Sequence, residues 1–390
     1  MIPTTKVRMK AASPLSSWLC LAVTLLTAGC ATRALPSTVL EVSAPPTYTV
    51  YVANESSDLV SRVSFTPGQG ARVEAEVPVG IMPADIDGPH GLAVSPDGNA
   101  WFVSVAHGTP FGRVWKYMAG TDTVAGRADL GFFPASMTTT PDGQFLYVVN
   151  FNLHGDPVPS SVSIVYTPTM TEVARPVTCV MPHGSRLNQT GSKHYSTCMH
   201  SQQLVEIDTR EFRITRRINV SPGHEGPLPL SDQGEHSHAE SGPVCSPTWA
   251  QPGRGAFADR VYVPCNKNQE ILEIDVAAGR VVRRFATGKG PYNLAVTPDG
   301  QRLLATLKAD QGLQIIDLES GRDAARIATT QPITHGVVVS PDGRFAFVTN
   351  EAIGSTRGTV DVIDLQSLQR VASTPVAHQP GGIDFWRMTN

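Results

Sequence analysis

Charge is scarce in this 390-residue chain: 17% of residues are Asp, Glu, Lys or Arg, 34 acidic against 31 basic. No basic run occurs, so the electrostatic footprint of a nucleic-acid binder is missing. Aromatic residues make up only 7%. The apolar segment from Leu15 to Ala28 falls short of the roughly 20 residues that a membrane-spanning helix needs. No nucleophile elbow, phosphate loop or paired-carboxylate motif stands out, so no reaction class is signed by a local motif. What the chain has in quantity is turn chemistry: 34 Gly and 31 Pro among 41% hydrophobic residues. That is a turn-rich globular composition with the length for a large core.

The first 29 residues stand apart. Lys6, Arg8 and Lys10 form a basic start, and the apolar segment ends in Leu26-Thr27-Ala28-Gly29-Cys30. This order marks a targeting segment outside the fold. Small residues directly before a Cys resemble a bacterial lipoprotein signal. The resemblance implies cleavage before Cys30, lipidation of that residue and export; an ordinary secretory signal cleaved nearby is the alternative. Ala31 and Thr32, rather than an Asp, follow the Cys, which by analogy with enteric bacteria implies the outer membrane, facing the periplasm. Residues 30–46 read as a lipidated Cys and a flexible tether, so the membrane is met through the lipid anchor only. Without residues 1–29 the balance is 28 Lys+Arg against 34 Asp+Glu, or −6.

Beyond the tether the chain repeats itself. Pro89-His90-Gly91-Leu92-Ala93-Val94-Ser95-Pro96-Asp97-Gly98 returns as Thr334-His335-Gly336-Val337-Val338-Val339-Ser340-Pro341-Asp342-Gly343. Pro291 to Gly300 is a third copy, and a looser one ends in Thr140-Pro141-Asp142-Gly143. Each reads as a short apolar strand running into a tight turn, where Pro sets φ, Asp bonds its own backbone and Gly takes positive φ. Recurrence at roughly 40–50 residues marks a repeat protein. Units start near residues 48, 90, 135, 183, 246, 291 and 334. The first lacks its opening strand, and a lone strand, Gly382-Ile383-Asp384-Phe385-Trp386, ends the chain. Residues 222–243 interrupt the period and read as a long loop insertion. The matched incomplete ends predict an all-β fold over residues 47–390. It is a seven-bladed β-propeller of four-stranded antiparallel blades, closed by the C-terminal strand joining the N-terminal blade.

Tyr51-Val52-Ala53-Asn54, Tyr147-Val148-Val149-Asn150 and Phe347-Val348-Thr349-Asn350 each precede a Val-Ile-Asp-like strand. These segments resemble the YVTN-type β-propeller repeat of YncE-like exported proteins. The resemblance covers nearly all of residues 48–386 and is specific for the fold rather than the function. Relatives of this architecture include extracellular binding proteins, lactonases, the nitrous oxide reductase propeller and haem d1 proteins.

In a propeller the opening strand of each blade lines the central channel. The aligned position near its start reads His90, Ala135, His183, Thr248, Tyr292, His335 and Gly381. Loops entering first strands and leaving second strands share one face, and ten of the 11 His map to that face; His194 is the exception. Neutral imidazole favours copper or zinc, so His90, His183 and His335 are candidate metal ligands at the channel mouth, with His200, His236 and His238 as further ligands or a lid. Against this, the three channel His come from blades two, four and seven and are spread around the ring. The nitrous oxide reductase pattern needs His from most blades, and Ala135, Thr248, Tyr292 and Gly381 break it. Tyr292, Arg186 and Trp249 complete the candidate ligand site. Asp85, Asp87, Arg186 and Asp384 are available to activate water in lactonase chemistry.

Four Cys remain once Cys20 is cleaved away and Cys30 is lipidated, and in an exported chain they imply disulfides with three possible pairings. Cys198 and Cys265 occupy the aligned position of Asn54, Asn150 and Asn350. Cys179 and Cys245 each precede their own first strand. The start of strand one and the end of strand two are neighbours on one face, so the pairs predicted are Cys179–Cys198 and Cys245–Cys265. The functional expectation is a monomeric cell-envelope protein that binds a small molecule, a metal ion or an envelope protein. A metal-dependent oxidoreductase and a lactonase-type hydrolase are the catalytic alternatives.

Overall fold

In a computed structural model of the chain, the described residues are 45–80, 86–107, 112–234 and 244–389. Cys30 and the tether up to residue 44, Asp85, His236 and His238 lie outside them. Seven antiparallel sheets form the ring expected from the repeats: five have four strands and two have five. The channel-lining strands are Pro89–Val94, Pro134–Thr139, Pro182–Leu187, Gln251–Pro252, Pro291–Val296, Thr334–Val339 and Pro380–Thr389. The last pairs antiparallel with Thr47–Asn54, setting Asp384 opposite Tyr51 and closing the ring.

Two blades depart from the simple pattern. In the third, Val177–Val180 adds a second outer segment beside Pro159–Tyr166. In the fourth, Gly226–Leu228 pairs with Arg213–Asn219. The segment read from sequence as a loop insertion therefore begins as an extra edge strand, because its start stays close enough to continue the sheet.

The core lies between blades. Tyr48, Val50 and Phe65 of the closing blade pack on Phe345, Phe347 and Val362 of the seventh. Ala93, Phe102 and Val114 of the second meet Met137, Leu146 and Val148 of the third. Trp101 is fully buried and stacks on Tyr117 with ring centroids 4.1 Å apart, a packing role.

The Asp-Gly turns behave as their chemistry requires. Asp97, Asp142, Asp299 and Asp342 each accept the backbone N–H two residues on, and a Ser or Thr hydroxyl two residues back donates to the same oxygen. Gly98, Gly143, Gly300 and Gly343 follow with φ between 69° and 73°. Asp208, Asp275, Asp317 and Asp364 also accept turn amides.

The His-Gly pairs have a structural half as well as a chemical one. A Cβ on Gly91 would sit 1.8 Å from the Ala135 carbonyl oxygen, one on Gly184 2.2 Å from Thr248 O, and one on Gly336 2.4 Å from Gly381 O. Each of those carbonyls belongs to the channel position of the next blade. Gly382 approaches His90 O in the same way. At the remaining joints a hydroxyl takes over: Ser136 donates to His183 O, Thr248 to Tyr292 O and Thr306 to His335 O. All seven joints are thus closed around the channel at one level.

Both predicted disulfides are formed. Cys179–Cys198 and Cys245–Cys265 have Cα separations of 6.0 and 4.3 Å, and all four residues are fully buried. Disulfides of this kind persist in oxidising compartments, in keeping with an exported chain.

Candidate functional site

The channel has two chambers that meet at Arg186. At the His-rich end, His90, His183, Trp249, Asn293 and His335 line an inner cavity of about 30 Å³. Toward the face of the Asp-Gly turns, Arg186, Asn188, Gln251, Arg254 and Asp384 line a wider one of about 510 Å³. The inner strands and the residues flanking them position these side chains, so the ring itself is the scaffold. Arg186, near the end of Pro182–Leu187, therefore sits deeper than the channel mouth, the place expected of it from the sequence.

The inner end is a packed polar plug. His183 donates from Nδ1 to the Thr248 carbonyl at 2.7 Å. Burial holds its pKa down to about 3, so the ring is neutral and its Nε2 accepts from the Tyr292 hydroxyl at 3.0 Å. Tyr292 packs against His335, with ring centroids 4.7 Å apart, and carries the Lys308 ammonium 4.4 Å from its own centroid. Lys308 Nζ in turn pairs with Glu351 at 2.9 Å. Burial, then the neighbouring Lys308 cation, hold His335 well below its ordinary value.

A second cluster surrounds Glu55. His90 Nδ1 donates to one carboxylate oxygen at 3.0 Å and His107 Nε2 to the other at 2.9 Å. Gln379 adds a third donor at 3.1 Å. Burial alone would raise Glu55, but His90 and His107 outweigh it and hold the carboxyl far below the usual carboxylate range. Burial alone would lower His90, and the Glu55 carboxylate reverses this, so its pKa is raised. His90, His107 and His154 all lean edge-on against Phe133.

These contacts take His183 out of a three-histidine metal site and leave His90 one nitrogen. His183 has both ring nitrogens engaged, and Nδ1 of His90 is held by Glu55. Among the described residues no group of three or more His, Cys, Asp or Glu side chains is arranged to hold an ion. The residues present do not fit the copper or zinc set of His90, His183 and His335. His200 stands at the same face, after its second strand, and His194 is buried against Tyr147 between blades.

The wider chamber carries a different chemistry. The Arg186 guanidinium lies over the Trp249 ring, 4.8 Å from its centroid, and one N–H donates to the Ser185 carbonyl at 3.0 Å. Among the described residues no carboxylate lies within ion-pair distance of it. Burial lowers its pKa to about 10, which leaves it a cation at neutral pH. Asp384 accepts the Val94 and Phe385 backbone N–H groups at 2.8 and 2.9 Å, which aim its carboxylate. Burial raises its pKa, against the pull of those amides and of Arg186. Asp87 is buried and lines neither chamber.

No protein-family model matches the chain, and no curated protein matches it in sequence. Solved structures do match in fold. The periplasmic gluconolactonase of Pseudomonas aeruginosa is 18% identical, with a TM-score of 0.64 over 87% of this chain and 99% of that one. A Bacteroides fragilis protein, provisionally described as a 6-phosphogluconolactonase, is 14% identical, with a TM-score of 0.61 over 87% and 98%. The hydrazine synthase of Kuenenia stuttgartiensis is 21% identical, with a TM-score of 0.57 over 74% and 81%. At these identities the likeness is one of fold.

Sequence reasoning missed Glu55, Lys308, Glu351 and Asn293. A signal for three of them was present. Glu55 and Glu351 directly follow the aligned Asn54 and Asn350, and Lys308 follows Leu307 in the same register. That position ends the second strand at the His-rich face, beside the channel residues of a neighbouring blade.

Proposed function

We propose that this chain is a lactonase-type hydrolase, working in the cell envelope, that opens a small lactone in the wider chamber of its channel. One observation carries the reading: a guanidinium without a carboxylate partner and an oriented carboxylate share one cavity of about 510 Å³. That volume falls within the roughly 300–1,000 Å³ of small-molecule sites. Arg186 offers N–H donors where a carbonyl oxygen gains negative charge, and Asp384 accepts a proton from water. The water oxygen attacks the lactone carbonyl carbon, and the oxyanion that forms faces Arg186. Its collapse breaks the bond to the ring oxygen, which takes the proton from Asp384 and leaves as the hydroxyl of a hydroxy acid. The fold shared with a periplasmic gluconolactonase supports the same chemistry. The two disulfides support an oxidising compartment. The Leu26–Cys30 sequence supports a lipid anchor, and Ala31 and Thr32 after it support the outer membrane.

The test is acid release from a panel of δ-lactones by purified protein, followed with a pH indicator against the buffer rate. Asp384→Asn is expected to lose about 10²–10⁴-fold in kcat, the range for a general base. A wild-type rate equal to buffer across the panel overturns the reading.

A further inference from the structure

Three residues that line the inner cavity each carry a polar atom that the fold leaves unsatisfied. Trp249 Nε1, Asn293 Oδ1 and His335 Nδ1 are buried without a hydrogen-bond partner. Their residues are 7%, 5% and 4% exposed, and all three line the cavity of about 30 Å³. Leaving a buried donor or acceptor unmade costs about 1–3 kcal/mol each, so three on the residues around one small space point to something that fills it. The cavity is also continuous in its lining with the wider chamber: Leu92, Met137, Arg186 and Ile383 border both.

The chemistry of the three atoms selects the occupant. An indole N–H can only donate, and an amide oxygen can only accept. A carboxylate satisfies the first and repels the second; an ammonium does the reverse. A hydroxyl satisfies both, and neutral His335 Nδ1 serves as donor or acceptor to it. At about 10–15 Å³ for each water-sized probe, the cavity takes about two such groups. A phosphoryl group is larger and doubly charged. Among the described residues lining the cavity, the cation without a carboxylate partner is Arg186, which the lactone carbonyl would occupy.

We propose that this cavity is a hydroxyl-binding subsite, and that the substrate is therefore a polyhydroxylated, unphosphorylated lactone. The proposal rests on the lactonase reading for the direction in which the ligand lies: its carbonyl at Arg186 and its hydroxylated carbons pointing inward. It separates the two sugar-lactone chemistries that the neighbouring folds bring to mind, on the size and polarity of one cavity.

Calorimetric binding of the open-chain products tests it without requiring turnover. The probes are D-gluconate, 6-phospho-D-gluconate and pentanoate, with wild-type protein and Trp249→Phe. Wild type is expected to bind gluconate at least tenfold more tightly than either other acid. Trp249→Phe, which keeps the ring under Arg186 but removes the N–H, is expected to weaken gluconate about fivefold and pentanoate less than twofold. Equal wild-type binding of gluconate and pentanoate would mean that only water fills the cavity, and the subsite is then overturned. Equal or tighter binding of the phosphorylated acid overturns it too, as does a matching loss of both acids in the variant. If the variant does not fold, the wild-type series decides alone. Selective gluconate binding with no lactone turnover sinks the hydrolase reading and keeps the subsite.

Discussion

The Tyr292 hydroxyl lies 3.0 Å from His183 Nε2, and it can only be the donor. The opposite ring nitrogen is committed to the Thr248 carbonyl, and the ring is neutral because burial holds its pKa down to about 3. The Thr248 carbonyl on blade five therefore fixes the tautomer of a histidine on blade four, and a phenol on blade six donates to the nitrogen left bare. Tyr292→Phe keeps the ring but leaves Nε2 a buried acceptor without a donor. The expected loss is about 1–3 kcal/mol in urea denaturation. A smaller loss, or none, would show that the bond is made to water instead.

The Glu55–His90 pair gives stability a defined pH window. Glu55 is depressed below its ordinary 4.5, so its contribution is present above that value and is lost as pH falls through the lowered one. His90 is raised above its ordinary 6.5, so its contribution is present below 6.5 and is lost as pH rises through the raised value. The stability difference between wild type and Glu55→Gln is expected to be largest between about pH 4.5 and 6.5, at about 1.5–3 kcal/mol, the range for a charged hydrogen bond. Denaturation midpoints at a series of pH values measure it. A difference that is flat with pH would show that the pair is not ionised.

Each disulfide closes a loop within one stretch of chain, with separations of 19 and 20 residues. Replacing both partners of either pair by Ala is expected to cost about 3 kcal/mol, the chain-entropy value for loops of this size. Peptide mapping of unreduced protein should recover Cys179 with Cys198 and Cys245 with Cys265. Free thiols, or a cross-pairing, would contradict the structure.

Arg186 and Asp384 are coupled, and the sign of the coupling is testable. The guanidinium lowers the Asp384 pKa against burial, which raises it. Arg186→Met removes that pull, so Asp384 should ionise at higher pH. The acidic limb of the rate profile is expected to move upward, alongside a fall in kcat from the lost oxyanion contact. A fall in rate with an unmoved limb would assign the limb to another group.

The ring was legible because its cues are local and repeated. Ser95-Pro96-Asp97-Gly98 and its copies count blades, and the missing first strand of the first unit matches the spare strand at Gly382–Trp386. The disulfides followed once Cys198 and Cys265 were set in register with the strand-ending Asn54, Asn150 and Asn350. The site was less legible, because its chemistry is made between blades. His90 read as a candidate ligand, yet what governs it is Glu55, from a blade whose first strand comes from the far end of the chain. Arg186 read as a charge at a mouth, and only the folded ring shows that it borders both chambers and stacks on Trp249. The insertion at 222–243 had no period to announce that it begins as an edge strand.

Asp384 sits on the final strand, the one that closes the ring. Ring closure and delivery of the proposed base are consequently a single event. A chain cut short before that strand lacks its last inner wall, leaves Thr47–Asn54 unpaired on one side and has no Asp384 at all. Such a fragment would be open-edged and would lack the base of the proposed hydrolysis, which could then begin only on the finished ring. The topology makes closure of the ring a precondition of the proposed chemistry.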